Sequence, residues 1–251
     1  MSRMKCGLIG KTLGHSWSPE IHRGLGDYEY RLYELAEEEI PAFLARRDWR
    51  GMNVTIPYKK TVVPFLDELS PSAAALGSVN TIVRREDGSL FGDNTDVFGF
   101  EAMVRRFGFE PEGRKTLVLG SGGASVSVCE ALGRMGAEPI VISRSGKYNY
   151  GNLELQEDAE YLVNTTPVGM YPNTDAAPLD LRALPGLRGV MDIIYNPAET
   201  KLMRQAREMG LRVCGGLYML VAQARRSAEL FLGESIPEER TERIYREMAK
   251  K

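Results

Sequence analysis

The stretch GMNVTIPYKK, residues 51–60, sets Lys59 just beyond an apolar run and Pro57. A lysine held in a partly desolvated cleft can carry a proton to or from a substrate oxygen. The pattern predicts a helix over 58–69, which would put this cation at the positive end of the helix dipole, an unfavourable place that asks for another reason. A surface lysine is the plainer reading of the same residue. SVNTI and GDNTD add Asn80, Asn94 and Asp96 near strand ends, although such residues also cap helices and turns. In GHSWSPEIH, Ser16 and Ser18 stand two apart before a helix. Two hydroxyls and a helix amino terminus make a seat for a carboxylate, while helix capping by Ser18 with Pro19 at the first helical position is the plainer reading of this stretch alone.

A second constellation lies in KTLVLGSGGASVSVCEALGRMGAEPIVISRSGK, residues 115–147. Leu117–Leu119 reads as a buried strand, Gly120-Ser121-Gly122-Gly123 as a tight turn, and Ala124–Met135 as a helix stopped by Gly136. Glycines in such a turn let the backbone approach a pyrophosphate, which the helix amino terminus then binds. Ser125 stands where the usual third glycine would be, and turns before helices also use glycine for backbone reasons alone. After the next strand, Pro139–Ile142, an acidic partner for an NAD ribose is expected. The sequence there is Ser143-Arg144-Ser145-Gly146-Lys147. Two cations and two hydroxyls suit a 2′-phosphate, which points to NADP; a solvated basic loop is the alternative.

The elements that must position these residues alternate. Strands over 5–9, 28–35 and 52–56 are interleaved with helices over 19–25, 37–49 and 58–69, which argues for a mostly parallel sheet covered by helices. Residues 78–84 and 89–92 read as a hairpin through Asp87-Gly88, and 95–107 as a helix. Beyond the glycine loop come strands at 161–164, 189–194 and 211–214, and helices over 199–209, 217–232 and 237–249. Between Ser145 and Tyr161 there is little room for the helix and strand that normally complete the first half of a dinucleotide fold.

With 251 residues the chain can form one large domain or two smaller ones. Its 32 basic and 34 acidic residues leave a formal charge of −2, without a broad basic field for nucleic acid. No signal-peptide core or membrane-length apolar run is present, so a cytoplasmic protein without a membrane or nucleic-acid partner is expected. Cys6, Cys129 and Cys214 are odd in number and far apart, which reads as buried thiols in a reducing compartment. The two histidines, His15 and His22, fit neither a zinc pattern nor a catalytic triad.

Taken together, Ser16-x-Ser18, Asn53-Val54-Thr55-x-Pro57-x-Lys59, Asn80-Thr81 and GDNTD at 92–96 resemble the shikimate dehydrogenase family in order and spacing. The similarity continues through GSGGAS, SRS, NTTPVGM at 164–170, DIIYNPAET at 192–200 and GLYMLVAQA at 216–224, covering nearly the whole chain. The resemblance implies an α/β fold of two domains, a substrate-binding domain of residues 1–94 and 216–251 and a Rossmann-like NADP-binding domain of residues 95–215 with a shortened first half. It implies reversible NADPH-dependent reduction of 3-dehydroshikimate to shikimate in aromatic amino acid biosynthesis, by a monomer or homodimer. Lys59 and Asp96 match the paired acid/base residues. Ser16 and Ser18 match the carboxylate seat, and Thr55, Asn80, Tyr195 and Gln223 the rest of the substrate pocket. Gly120, Ser121, Gly122, Gly123 and Ala124 match the pyrophosphate loop, Ser143, Arg144, Ser145 and Lys147 the 2′-phosphate clamp, and Thr165, Ile193 and Gly216 positions near the cofactor. Quinate or an amino analogue as substrate, and a non-catalytic sensor of shikimate-like ligands, are the alternatives; the presence of both Lys59 and Asp96 argues against the sensor. Three features depart from the family pattern: Val97 after the aspartate, HRGLG in the first helix, and the truncation after Lys147, which removes a possible wall of the adenosine site.

Overall fold

The computed structural model describes residues 3–251, which divide into two compact units. The first comprises the described residues up to Phe98 together with Val221–Lys251, and the second Gly99–Leu220. The chain passes from one unit to the other within helices, α4 (Thr95–Arg106) and α7 (Leu217–Leu232).

In the first unit, β1 (Lys5–Gly10), α1 (Ser18–Leu25), β2 (Glu29–Glu34), α2 (Ile40–Arg46) and β3 (Gly51–Val54) alternate. β1 runs parallel to both β2 and β3, because each connection carries a helix back over the sheet. β4 (Glu68–Leu69), α3 (Pro71–Leu76), β5 (Thr81–Arg84) and β6 (Leu90–Asp93) follow. β5 pairs antiparallel with β3 and β6, so the sheet is mixed, in the order β2-β1-β3-β5-β6-β4. Ile9, Met52, Val54, Ile82 and Leu90 from the sheet pack on Ile40, Phe43, Leu44 and Trp49. α8 (Glu238–Met248) completes the unit.

The helix expected over 58–69 does not form. Its residues make turns, a single 3₁₀ turn at Val63–Phe65 and then β4. Tertiary bonds claim the backbone: the Lys59 carbonyl accepts from Val79 N–H at 2.8 Å, and Asp67 N–H donates to Leu90 O at 2.9 Å. Pro64 could not donate within a helix in any case. Tyr58, 1% exposed, donates its hydroxyl to Leu35 O and anchors the loop that carries Lys59. The helix expected over 37–49 is also shorter, a 3₁₀ turn followed by α2 and ended by Arg47 at φ 49°. α3 escaped the sequence reading altogether; Ser70 caps it through Ala73 N–H.

The second unit is built on a parallel sheet of β7 (Lys115–Leu119), β8 (Glu138–Ile142), β9 (Tyr161–Asn164), β10 (Gly189–Asp192) and β11 (Arg212–Gly215), ordered β11-β10-β9-β7-β8. α5 (Gly123–Arg134) joins β7 to β8, and α6 (Lys201–Glu208) joins β10 to β11. A full dinucleotide fold has strand order 3-2-1-4-5-6; here β8 takes place 2 and is the edge. Only a 3₁₀ turn, Leu153–Gln156, lies between β8 and β9, in keeping with the short segment seen in the sequence. Leu117, Leu119, Leu162 and Val190 pack with Leu202 and Ala206 of α6.

Candidate active site and dinucleotide loop

Four expected residues converge in the first unit. Lys59 Nζ donates to Asp96 Oδ2 at 2.6 Å, with the side chains 24% and 12% exposed. This ion pair replaces the dipole argument for Lys59, since no helix begins there. Asp96 lies in the first turn of α4, where a carboxylate is favoured by the helix dipole. Asn94 Oδ1 accepts from Asp96 N–H at 3.2 Å and Asn80 Oδ1 from Thr95 N–H at 2.8 Å, so two donors of that helix end are satisfied by side chains. The Asn80 amide then donates to Asp96 Oδ1 at 2.9 Å and to Gln223 Oε1 at 3.1 Å. Lys59, Asp96, Asn80 and Gln223 therefore form one bonded cluster.

Ser16 and Ser18 meet at the start of α1, where Ser16 Oγ accepts from Ser18 N–H at 3.3 Å. Trp17, not Ser18, takes the cap position and makes no side-chain cap. Thr55 follows β3, its N–H bonded to Ile9 O at 2.9 Å, and its methyl lies against Gly10. Beneath this surface, Tyr30 stacks on His22 with centroids 3.9 Å apart and donates its hydroxyl to Asn53. Burial depresses the His22 pKa to about 3, against the upward pull of a hydrogen bond with Asn53. Burial likewise pushes the Cys6 thiol up to about 12, raises that of Cys214, and lifts that of Cys129, which is only partly buried, to about 11.

The other expected residues belong to the second unit. Gly120 leaves β7 at φ +102°, and a Cβ there would meet Thr165 Oγ1 at 3.0 Å. A Cβ on Gly122 or Gly123 would touch no atom of the chain, and neither residue has positive φ. Their lack of a side chain is thus not demanded by protein packing, and suits a ligand approaching the amino terminus of α5. Ser125 fits the place of the third glycine by turning its hydroxyl back to Gly122 O at 2.7 Å, 2% exposed. Ser121, Gly122 and Gly123 are exposed and Ala124 half-buried.

Past β8, Arg144 and Lys147 are exposed on one turn, with Lys147 Nζ 4.9 Å over the Tyr148 ring. Ser143 N–H donates to Tyr148 O and Gly146 N–H to Ser143 O. Asn152 accepts from Asn149 N–H at 2.7 Å and donates to Lys147 O at 3.1 Å, which gives the short segment internal order. Exposed Ser145 lies on the same turn. The residues present fit a phosphorylated dinucleotide: open glycines at a helix amino terminus and a basic turn at the end of the next strand.

Thr165 hydrogen-bonds Leu119 O through its hydroxyl at 2.6 Å. Gly216 packs so tightly on Ile193 that a Cβ would lie 1.9 Å from its carbonyl oxygen. Tyr195 is half-buried, and burial raises its hydroxyl pKa. Sequence reasoning assigned no role to Asp192, fully buried at the end of β10, which accepts from Asn164 at 3.1 Å, Ile194 N–H at 3.1 Å and Thr200 at 2.7 Å. Burial raises its pKa against the pull of those three bonds. Its signal was membership in DIIYNPAET. Ser227, buried on α7 and bonded to Asn53 and Thr81, had no signal at all.

Residues 8–82 match the family model described as the shikimate dehydrogenase substrate binding domain. The chain is 38% identical to the shikimate dehydrogenase (NADP(+)) of Clostridium perfringens (strain SM101 / Type A) over 264 residues, 96% of this chain and 97% of that protein. A chorismate mutase/shikimate 5-dehydrogenase fusion protein from Clostridium acetobutylicum superposes with TM-score 0.95 at 34% identity, over 100% of this chain and 98% of that one. Shikimate 5-dehydrogenase from Thermus thermophilus, solved in complex with NADP(H) and shikimate, gives 0.88 at 32% identity over 98% and 99%.

Proposed function

Because the chain belongs to the shikimate dehydrogenase family, we propose that it catalyses the reversible NADPH-dependent reduction of 3-dehydroshikimate to shikimate. The observation that carries this reading is the Lys59–Asp96 pair, braced by Asn80 and Gln223. NADPH supplies the hydride. Delivery of hydride to a ketone leaves negative charge on its oxygen, and the Lys59 ammonium stabilises and protonates that oxygen. Asp96 holds the ammonium in place and accepts from a neighbouring ring hydroxyl. In the opposite direction, neutral Lys59 takes the alcohol proton.

Ser16 accepts from Ser18 N–H and keeps its own hydroxyl hydrogen to donate to the substrate carboxylate, with Ser18 beside it. Thr55, Asn80 and Gln223 line the pocket of the first unit, and Tyr195 is a further substrate-binding residue by its match to the family pattern. We take residues 1–94 with 216–251 as the substrate-binding domain, a reading supported by the family model over residues 8–82. The compact units divide a few residues later at each crossing, after Phe98 and Leu220, which leaves Asp96 with the substrate site. The NADP-binding domain is residues 95–215. There Gly120–Ala124 seat the pyrophosphate, Ser143–Lys147 the 2′-phosphate, and Thr165, Ile193 and Gly216 lie near the nicotinamide end. No helix of the described residues is long and apolar enough to cross a membrane, and the buried thiols suit work in the cytoplasm, as a monomer or homodimer.

The absorbance of NADPH, followed with 3-dehydroshikimate and then with quinate and NAD, tests the proposal. Oxidation of NADPH by 3-dehydroshikimate is expected. Binding without turnover would sink it in favour of a ligand sensor.

A further inference from the structure

Beneath the Lys59–Asp96 pair, the first unit buries a column of uncharged polar side chains drawn from four elements. Asn53 belongs to β3, Thr81 to β5, Thr95 to the start of α4 and Ser227 to α7. Thr81 and Ser227 are wholly buried, so each hydrogen there needs a protein acceptor.

The direction of these bonds follows from groups of fixed polarity. Thr95 N–H can only donate, and it donates to Asn80 Oδ1 at 2.8 Å. The Asn80 oxygen therefore faces the column and its NH₂ faces Asp96 and Gln223. At the far end, the Tyr30 hydroxyl donates to Asn53 Oδ1 at 2.8 Å. The Asn53 NH₂ donates to Ser227 Oγ at 2.8 Å and to Thr81 Oγ1 at 3.1 Å. Ser227 donates to the Gln223 carbonyl at 3.1 Å and lies 2.8 Å from the Thr81 hydroxyl, and Thr81 donates to Asn80 Oδ1 at 3.0 Å. From Tyr30 through Asn53 and Thr81 to Asn80 and Asp96 each link points the same way, with Ser227 bracing Asn53 and Thr81 from α7, and bonds aligned in this way polarise one another.

We propose that Thr81 and Ser227 are positioning residues of the reaction: their hydroxyls lock the amide of Asn80 so that it donates to both Asp96 and Gln223. A reversed Asn80 would set its oxygen against the Asp96 carboxylate and its NH₂ against Thr95 N–H. With the lock in place, Asp96 keeps its second oxygen for Lys59. Gln223, accepting through Oε1, turns its own NH₂ away from Asn80. The inference rests on the dehydrogenase reading, and the two fail separately.

The test compares Thr81→Val, which keeps the shape and removes the hydroxyl, with Thr81→Ser, which keeps the hydroxyl. Ser227→Ala removes the hydroxyl that braces Asn53 and Thr81 from α7, and it decides the matter should Thr81→Val not fold. Rates are taken per active site, counted by NADP binding. The expected result is a kcat lowered about 10-fold or more in Thr81→Val and Ser227→Ala, the scale on which small misplacements act, with the KM for NADP unchanged and Thr81→Ser close to wild type. Wild-type turnover with Thr81→Val or Ser227→Ala within about 2-fold, or with Thr81→Ser as slow as Thr81→Val, would overturn the inference. Absence of wild-type turnover would overturn the dehydrogenase reading instead.

Discussion

Lys59 and Asp96 form a 2.6 Å ion pair in which the cation sits on an irregular loop and the anion on the first turn of a helix. The helix favours its carboxylate through the dipole, whereas the loop is held by Tyr58, by the bond to Val79 and by its own turns. Removing the cation should thus leave the fold largely intact while removing the proton carrier. Lys59→Ala is expected to lower kcat by at least ~10²-fold, the low end for a lost general acid/base, with shikimate binding weakened much less. Steady-state rates near those of wild type would take Lys59 out of the mechanism.

The paired serines should act on binding alone. Ser16→Ala combined with Ser18→Ala is expected to raise the KM for shikimate by roughly 10-fold or more per hydroxyl, since a hydrogen bond to a charged group contributes about 1.5 to 3 kcal/mol. The KM for NADP should stay put, because bonds to a remote carboxylate contribute mainly uniform binding. Isothermal titration showing unchanged shikimate affinity would place the carboxylate elsewhere.

On the exposed turn after β8, Arg144 offers a planar guanidinium that can make two bonds to a 2′-phosphate. Lys147 is drawn toward Tyr148 and should contribute less. Wild type should prefer NADP over NAD, Arg144→Ala should lose much of that preference, and high salt should shrink it in wild type, as screening requires. The measurement is kcat/KM for both cofactors at low and high ionic strength; an unaltered ratio in the variant would mark the turn as a solvated loop.

His22 predicts an acid sensitivity of the fold. Its folded-state pKa of about 3 lies below the 6.5 of an ordinary histidine. Below pH 6.5 the unfolded chain binds a proton that the folded chain refuses, so stability is lost as pH falls toward 3. Between about pH 7.5 and pH 5 this amounts to about 2 kcal/mol, from 1.4 kcal/mol per pH unit. Urea midpoints should fall more steeply with acid in wild type than in His22→Gln. Parallel slopes would show that His22 does not titrate on unfolding.

The second unit was readable because its strands are short continuous apolar runs and its helices stop at glycines, signals that are local. The 58–69 segment was not, since its apolar spacing imitates a helix while Lys59 O, Asp67 N and Tyr58 Oη bind partners distant in sequence. No helix begins at Lys59 to make its place unfavourable; its partner Asp96, 37 residues later, is what gives it a setting. Within the site, charged residues and glycines announce themselves by type. Ser227 does not, because a small hydroxyl on an apolar helix face gives no hint of Asn53 or Thr81 opposite.

Among the described residues, the five-residue β8 ends its sheet without a strand on the outer side. Such a bare margin is a template on which another polypeptide can add as a strand, the route to fibrils and sticky aggregates. Pro139 answers that hazard. A proline is tolerated in a strand where its missing N–H would face outward, so the margin lacks one of the donors an incoming strand would need. Glu138 before it is exposed and charged, a further deterrent to docking. A protein that dispenses with the shielding strand therefore carries its own guard against polymerisation in the residues where that strand would have paired.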